Sequence, residues 1–262
     1  MRPLDGKCAL VTGSVRGLGL AIAERLAADG ANVVLNGFDA AAGITALQQG
    51  LADRHGVRAQ YSGADLRSQS DIDGMMTEAC AAFGAVDILV NNAVVRQAAP
   101  VEAFDAARWD ESLAVNLSAA FHTTRLAVPK MKQRGWGRIV NVSSIYGLRG
   151  AVDRVGYVVT KTALVGLTRA VALETAAHGV TCNAVCPGTT DTPVHLATIE
   201  AAMAAGGITR EQAERQVLAG KQPSGRLVSA DGVAALVAFL CGPDARDITG
   251  AVLPVDGGWS AG

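Results

Sequence analysis

The sequence predicts an α/β fold, a doubly wound parallel sheet in one domain spanning residues 1–262. Two observations carry this expectation. Short apolar runs alternate with helical patterns along the whole chain without a linker, and a glycine-rich turn joins the first strand pattern to the first helix pattern. Strands covered on both faces read as continuous hydrophobic runs. Strand–helix alternation sets successive strands parallel through right-handed crossovers. Half of the residues are hydrophobic, ample for a core flanked by helices on both faces.

Each element follows in order. Lys7–Val11 is the first strand pattern, Thr12–Gly19 the turn, and Leu20–Asp29 a helix. Ala31–Asn36 reads as the second strand, Ala40–His55 as a helix and Val57–Gly63 as the third strand. Ser68–Phe83 is helical, with Gly84 as its stop signal. Val86–Asn91 is the fourth strand, and one long helical region runs from Arg108 to Gln133. Gly137–Ser143 is the fifth strand, followed by a helix from Tyr157 to Ala177. Gly179–Cys186 is the sixth strand, ending at Pro187-Gly188. Ser229–Leu240 is a helix and Ala251–Val255 the last strand. Residues 192–225 exceed an ordinary connection and contain Ala-rich helical pieces with a Gly206-Gly207 break. Beside a site they read as a substrate lid, with a surface excursion or an oligomer contact as the alternative.

Charge and composition narrow the partners. A net charge of −1 leaves no basic footprint for nucleic acid. No apolar run reaches bilayer-spanning length, and Met1–Lys7 has no signal-peptide core. A cytoplasmic protein acting on a small molecule, with no membrane or nucleic-acid partner, is the expectation. Cys8, Cys80, Cys182, Cys186 and Cys241 stand mostly in apolar contexts, the four histidines are scattered, and no C-x-x-C occurs. Core cysteines and no metal site are expected.

Two groups of residues carry chemistry. Gly13, Gly17 and Gly19 allow a tight turn between strand and helix, where the helix N-terminus offers free N–H groups and a positive dipole to a pyrophosphate. Farther on, Tyr157 and Lys161 are four residues apart in a helical pattern and therefore share a face. A phenol beside an ammonium is a proton donor whose phenolate the cation stabilises. Ser144 follows the fifth strand, thirteen residues before Tyr157, where its hydroxyl can bond a substrate oxygen. Tyr-x-x-x-Lys alone is common on surface helices; the nucleotide signature upstream gives it weight.

Thr12-Gly13-x-x-x-Gly17-x-Gly19, Asn91-Asn92-Ala93, Asn116, Ser144, Tyr157-x-x-x-Lys161 and Pro187-Gly188-x-x-x-Thr192 follow in order across nearly the whole chain. With these motifs the chain resembles the short-chain dehydrogenase/reductases, which have a Rossmann fold. Within them it is similar to the bacterial D-3-hydroxybutyrate dehydrogenases, through Leu35-Asn36-Gly37-Phe38, the run Asn116–Arg125, Gln222-Pro223-Ser224-Gly225 and Leu253–Trp259. The resemblance implies roles. Tyr157 is the general acid of carbonyl reduction and the base of alcohol oxidation. Lys161 lowers its pKa and binds the nicotinamide ribose, Ser144 holds the reacting oxygen, and Asn116 helps carry a proton relay from Lys161. Cofactor contacts are expected from Gly13, Arg16, Gly17, Leu18, Gly19, Phe38, Asp65, Leu66, Asn91, Ala93, Tyr157, Lys161, Pro187, Gly188 and Thr192. Asp65 and Leu66 would meet adenine, Asn91 the adenosine side, and Thr192 the carboxamide.

The resemblance further implies a homotetramer and an oxidoreductase acting on a small secondary alcohol or ketone. NAD is the expected cofactor. Gly37 takes the usual selector position, Asp39 nearby would repel a 2′-phosphate, and only Arg16 speaks for NADP. Two departures matter. Val94 replaces the usual glycine after Asn-Asn-Ala. In the pocket, Arg96, Tyr146 and Arg154 stand where a glutamine, a histidine and a lysine help hold the hydroxybutyrate carboxylate, and Thr189 and Thr198 replace a tryptophan and a glutamine. Candidate substrate residues are therefore Arg96, Ser144, Tyr146, Arg154, Tyr157 and Thr189. Space at Thr189 and a ring at Tyr146 also suit a 1-arylethanol. A rival of another class is a catalytically silent NAD(H)-binding protein on the same fold, although a silent protein has no need of the full Asn116–Ser144–Tyr157–Lys161 set.

Overall fold

Seven parallel strands form one sheet in the computed structural model, which describes residues 2–261; the first and last residues of the expected domain lie outside them. The strands are β1 (Cys8–Val11), β2 (Asn32–Asn36), β3 (Ala59–Ser62), β4 (Ile88–Asn91), β5 (Gly137–Val142), β6 (Val180–Pro187) and β7 (Val252–Val255). Their spatial order is β3-β2-β1-β4-β5-β6-β7. The winding direction reverses between β1 and β4, and a crevice opens at the carboxyl ends where it does. Ala9, Leu10 and Val11 pair with Val33, Val34 and Leu35 on one side and with Ile88, Leu89 and Val90 on the other.

The continuous apolar runs have a simple cause. Successive side chains point to opposite faces of a strand, and here both faces are covered. Ala9, Val11, Val33, Leu35, Ile88 and Val90 belong to one core cluster, completed by Ile22 and Leu26 of α1 (Gly17–Ala28) and Val233 and Val237 of α9 (Ala230–Cys241). Cys8, Leu10, Val34, Leu89 and Ile139 belong to the other. There they meet Ile72, Met75 and Met76 of α3 (Gln69–Phe83) and Ala127 and Met131 of α5 (Ala119–Arg134). Fully burying one such Val, Leu or Ile side chain contributes roughly 1.5–3 kcal/mol.

The remaining helices are α2 (Ala41–His55), α4 (Ala106–Leu113), α6 (Val155–Thr175), α7 (Pro193–Gly206) and α8 (Arg210–Leu218). Local signals fix several ends. Ser68 and Ser229 cap α3 and α9 by accepting from Asp71 N and Gly232 N, and Thr209 and Gln212 form a capping box on α8. One expected element differs. The long helix from Arg108 to Gln133 is interrupted by a π-turn at Ala114–Ser118, where Ala119 N–H donates to Ala114 O. The apolar periodicity continues through the turn, so the sequence alone reads as one helix. Tertiary bonds made by Asn116, described below, accompany the wider turn.

The expected lid corresponds to α7, α8 and their flanks. Gly207 ends α7 in left-handed backbone, at the Gly206-Gly207 break. Both helices are lightly anchored, α7 burying Ile199, and α8 Ala213 and Leu218. The five cysteines are free thiols, and Cys8, Cys182, Cys186 and Cys241 are buried. Burial pushes the Cys182 and Cys241 thiols up to about 12, which suits inert core positions. Among the described residues no group of His, Cys, Asp and Glu gathers as a metal site, and no helix is long and apolar enough to cross a membrane.

Candidate active site

The glycine turn after β1 is packed against the exit of β4. Thr12 Oγ1 accepts from Asn92 N and Ala93 N at 2.9 and 3.0 Å, and Asn92 Nδ2 donates to Thr12 O and Gly13 O. A side chain at Gly13 would place its Cβ 2.9 Å from Ala93 Cα, and one at Gly19 would collide with Gly13 O. The turn therefore tolerates only glycine at these points. Arg16 is the N-cap of α1 and makes no side-chain cap bond, so the first-turn N–H groups are not occupied by a capping side chain. That free N-terminus beside a Cβ-less turn fits a dinucleotide pyrophosphate. The N-terminus of α7 overlies it, since a Cβ on Gly17 would lie 3.6 Å from Pro193 Cδ.

Around this cradle the expected contacts fare differently. Phe38 is 60 % exposed at the end of β2, next to Gly37. Leu66 is buried in the second core cluster. The Asp65 carboxylate is gripped by Arg67 through Nε at 3.0 Å and Nη2 at 2.6 Å, and this pairing lowers its pKa. An adenine partner would have to share Asp65 with Arg67. The Asn91 side chain turns inward. Its amide donates to Asn141 Oδ1 at 2.8 Å and accepts from Thr123 Oγ1 at 2.8 Å, inside the protein. Anything Asn91 offers a cofactor comes from its main chain. Asn92, the middle residue of the Asn91-Asn92-Ala93 motif, is the one whose side chain holds the glycine turn.

The π-turn carries Asn116, 2 % exposed. Its side chain accepts from Val95 N at 2.8 Å and donates to Val95 O at 3.0 Å, and its Nδ2 also lies 3.3 Å from Thr160 Oγ1 on α6. Asn116 thus clamps the loop that holds Val94, Val95 and Arg96. The Lys161 ammonium donates to Val142 O at 2.7 Å and keeps two further N–H donors.

Ser144, Tyr157 and Lys161 come together at the end of β5. Ser144 caps the short 3₁₀ turn Ile145–Gly147, its Oγ accepting from Tyr146 N at 3.2 Å. Ser143 Oγ donates to Lys161 O at 2.7 Å and ties this turn to α6. Tyr157 and Lys161 share the inner face of α6, both buried, with Lys161 Nζ 5.8 Å from the Tyr157 ring centroid. The Arg96 guanidinium stands at the same 5.8 Å from that ring. Burial, reinforced by Arg96, pushes the Lys161 ammonium down to about 7. Because β1, β4, β5 and β6 are neighbours, the glycine turn, the Asn92 loop, Ser144 and Pro187-Gly188 line one edge of the sheet.

Beyond this set lies a cavity of about 460 Å³ lined by Tyr146, Arg149, Arg154, Lys221 and Trp259, among others. The Tyr146 ring is edge-on to both Tyr157 and Trp259, at 6.3 and 5.4 Å. The expected substrate residues Tyr146 and Arg154 thus share one wall, and Arg96 stands against Tyr157. Thr189 is buried, its N–H held by Gln222 Oε1 and its carbonyl by Val228 N. Thr198 lies in α7 and donates to Val194 O.

Sequence reasoning missed Arg149, Lys221 and His195. His195 Nδ1 lies 2.7 Å from Thr190 O and so carries the proton, which leaves Nε2 as an acceptor. Burial, with Arg96 and Lys221 adding to it, lowers its pKa and favours the neutral ring. These residues come from distant segments, and no local spacing announces their meeting. Thr192 Oγ1 lies 3.3 Å from the same His195 nitrogen.

Residues 7–202 match the family model described as short chain dehydrogenase. The D-beta-hydroxybutyrate dehydrogenase of Cupriavidus necator is 48% identical over 259 residues, 98% of this chain and 99% of that protein. The protein of the same name from Rhizobium meliloti is 43% identical, over 97% and 99% of the two chains. Among solved structures, L-sorbose reductase from Gluconobacter frateurii, complexed with NADPH and L-sorbose, superposes with a TM-score of 0.93 at 29% identity, covering 99% of this chain and 98% of its own. The sheet order, the glycine cradle and the Ser144–Tyr157–Lys161 cluster agree with these likenesses: the chain belongs to the short-chain dehydrogenase family of oxidoreductases.

Proposed function

We propose that this chain is an NAD-dependent dehydrogenase of small secondary hydroxy acids, reversible to the keto acid. The observation that carries the reading is the meeting of Ser144, Tyr157 and Lys161 beside a glycine cradle with an uncapped helix N-terminus. Gly13, Gly17, Gly19 and the first turn of α1 would hold the pyrophosphate of the dinucleotide, with Lys161 at its nicotinamide ribose and Thr192 at its carboxamide. The bound nicotinamide supplies the hydride acceptor. Ser144 holds the substrate oxygen, and Tyr157 takes the hydroxyl proton in oxidation or returns it in reduction. Lys161 stabilises the phenolate. Asn116 acts as a positioning residue by fixing Val95 and the Arg96 loop. The segment 192–225 serves as the lid, with Pro193 over Gly17 and Lys221 at the cavity wall.

The end of β2 supports NAD over NADP. Gly37 has φ 145°, and a Cβ there would lie 2.9 Å from Val15 Cγ2, so the position that selects the ribose carries no side chain. Asp39 is the acid nearby, opposed by the exposed Arg16. The expected kcat/KM is at least about tenfold higher with NAD, equivalent to ~1.4 kcal/mol. Initial rates with both cofactors check this, and a preference for NADP refutes it.

For the substrate, Arg96 and Arg154 present guanidinium forks that suit a carboxylate. Arg154→Ala is expected to raise the KM of a 3-hydroxy acid at least about tenfold; an unchanged KM rejects that role. The Tyr146–Trp259 pair favours a second reading, a 1-arylethanol whose ring packs on Tyr146. Faster turnover of neutral aryl alcohols than of 3-hydroxy acids would select it. A homotetramer belongs to the proposal, supported by exposed Phe121 on α5 and Val159 and Leu173 on α6. Sedimentation velocity tests it, and a monomer rejects it.

A further inference from the structure

The cavity beyond Tyr146 holds more positive charge than one carboxylate can balance. Arg149 comes from the loop after β5, Arg154 from the N-terminus of α6, and Lys221 from the end of the lid, and no carboxylate lines the cavity with them among the described residues. None of the three makes an ion pair among the described residues. Two of them are held in place by the main chain. Arg149 Nη1 donates to Trp259 O, and Lys221 Nζ to Val217 O at 2.7 Å. Each keeps further N–H donors. Burial and, after it, the charge of Arg154 hold Lys221 below the ordinary lysine range, as expected of cations gathered without a counter-ion. Arg96 stands apart, against the Tyr157 ring. The chain as a whole has net charge −1, so this concentration is local. Like charges gathered in one open cleft raise its affinity for anions, and arginine forks match the planar or tetrahedral oxygens of carboxylate and phosphate. The volume, about 460 Å³, falls in the range of sites for ligands larger than a four-carbon acid.

We propose that Arg149 and Lys221 form a second anion subsite beside Arg154, and that the preferred substrate is a hydroxy acid bearing another oxyanion, carboxylate or phosphate, at its far end. This rests on the hydroxy-acid reading above, with Arg96 and Arg154 left to the first carboxylate. Binding, measured without turnover, tests it. Titration calorimetry on the full chain with NAD present compares glutarate and 3-phosphonopropionate with butyrate, none of which carries an oxidisable hydroxyl. The expected result is that at least one of the two multiply charged acids binds about tenfold or more tightly than butyrate. Arg149→Gln and Lys221→Gln, each checked for folding by circular dichroism, should remove most of that advantage. The tighter of the two identifies the oxyanion. Equal binding of all three acids, no measurable binding of the multiply charged ones, or an advantage that survives both substitutions overturns the subsite. Because no turnover is read, failure to oxidise any hydroxy acid would count against the dehydrogenase reading and leave this result separately legible.

Discussion

Tyr157→Phe is expected to lower kcat by about 10²–10⁴-fold, the usual contribution of a positioned acid or base, and to leave NAD binding at wild-type strength. The phenylalanine ring keeps the packing of tyrosine, edge-on to Tyr146 at 6.3 Å and facing Arg96 at 5.8 Å. What disappears is the phenolic proton of Tyr157, whose ring lies 5.8 Å from Lys161 Nζ. A loss of that size corresponds to about 3–5 kcal/mol of transition-state stabilisation. Steady-state kinetics and a cofactor titration on the variant decide the matter. Activity within a few-fold of wild type would remove Tyr157 from the chemistry, and a parallel loss of NAD affinity would point to collapse of the site.

Lys161→Met should move activity and stability in opposite directions. The ammonium is buried, donates to Val142 O at 2.7 Å and faces the Tyr157 ring. Without it the phenolate has no adjacent cation from α6, and turnover is expected to fall by about 10²-fold or more. Stability follows from proton linkage. Lys161 titrates at about 7 in the folded chain against an ordinary 10.5. Below pH 7 the folded protein carries a buried charge, and the full penalty stands. Between 7 and 10.5 the unfolded state binds more protons than the folded one, so stability rises with pH. Above 10.5 both are neutral and the penalty is gone. Methionine removes the penalty at every pH. The variant is therefore expected to be the more stable at about pH 6, with the gap narrowing toward about pH 10. At ~1.4 kcal/mol per pH unit the gain is at most about 5 kcal/mol, reduced by about 1–3 kcal/mol for the Val142 carbonyl left without its donor. Urea midpoints across this range read the difference directly. A variant less stable than wild type at the acid end contradicts the assignment.

The sheet was legible because its strands are buried on both faces. Runs such as Val33-Val34-Leu35 and Ile88-Leu89-Val90 have no other stable place. Ser68, Ser229, Gly84 and the Gly206-Gly207 break mark helix ends through local chemistry, and the structure uses them so. The π-turn at Ala114–Ser118 was not legible. It inserts no breaker, and the bonds that accompany it run from Asn116 to Val95, 21 residues away in sequence. The direction of the Asn91 side chain was hidden for a related reason. Every residue of β4 is buried, so alternation of polarity cannot say which face Asn91 takes. The shared face of Lys161 and Tyr157 was readable from helix periodicity, and the glycine turn upstream gave the pair its weight. His195, Lys221 and Arg149 were not readable, because three separate segments bring them to the site. The Asp65–Arg67 pair is two residues apart in sequence, close enough for the arginine to take hold of the expected adenine contact.

Ser144, Tyr157 and Lys161 are proposed to drive hydride transfer between a secondary alcohol and the cofactor in the glycine cradle. This role is tested most directly by following NADH formation from NAD with the purified chain over a panel of 3-hydroxy acids and 1-arylethanols. NADH is expected with at least one of them, fastest with a hydroxy acid, and none above background with Tyr157→Phe. No NADH from any secondary alcohol, with NAD shown to bind, would contradict it and leave a dinucleotide-binding protein without this chemistry.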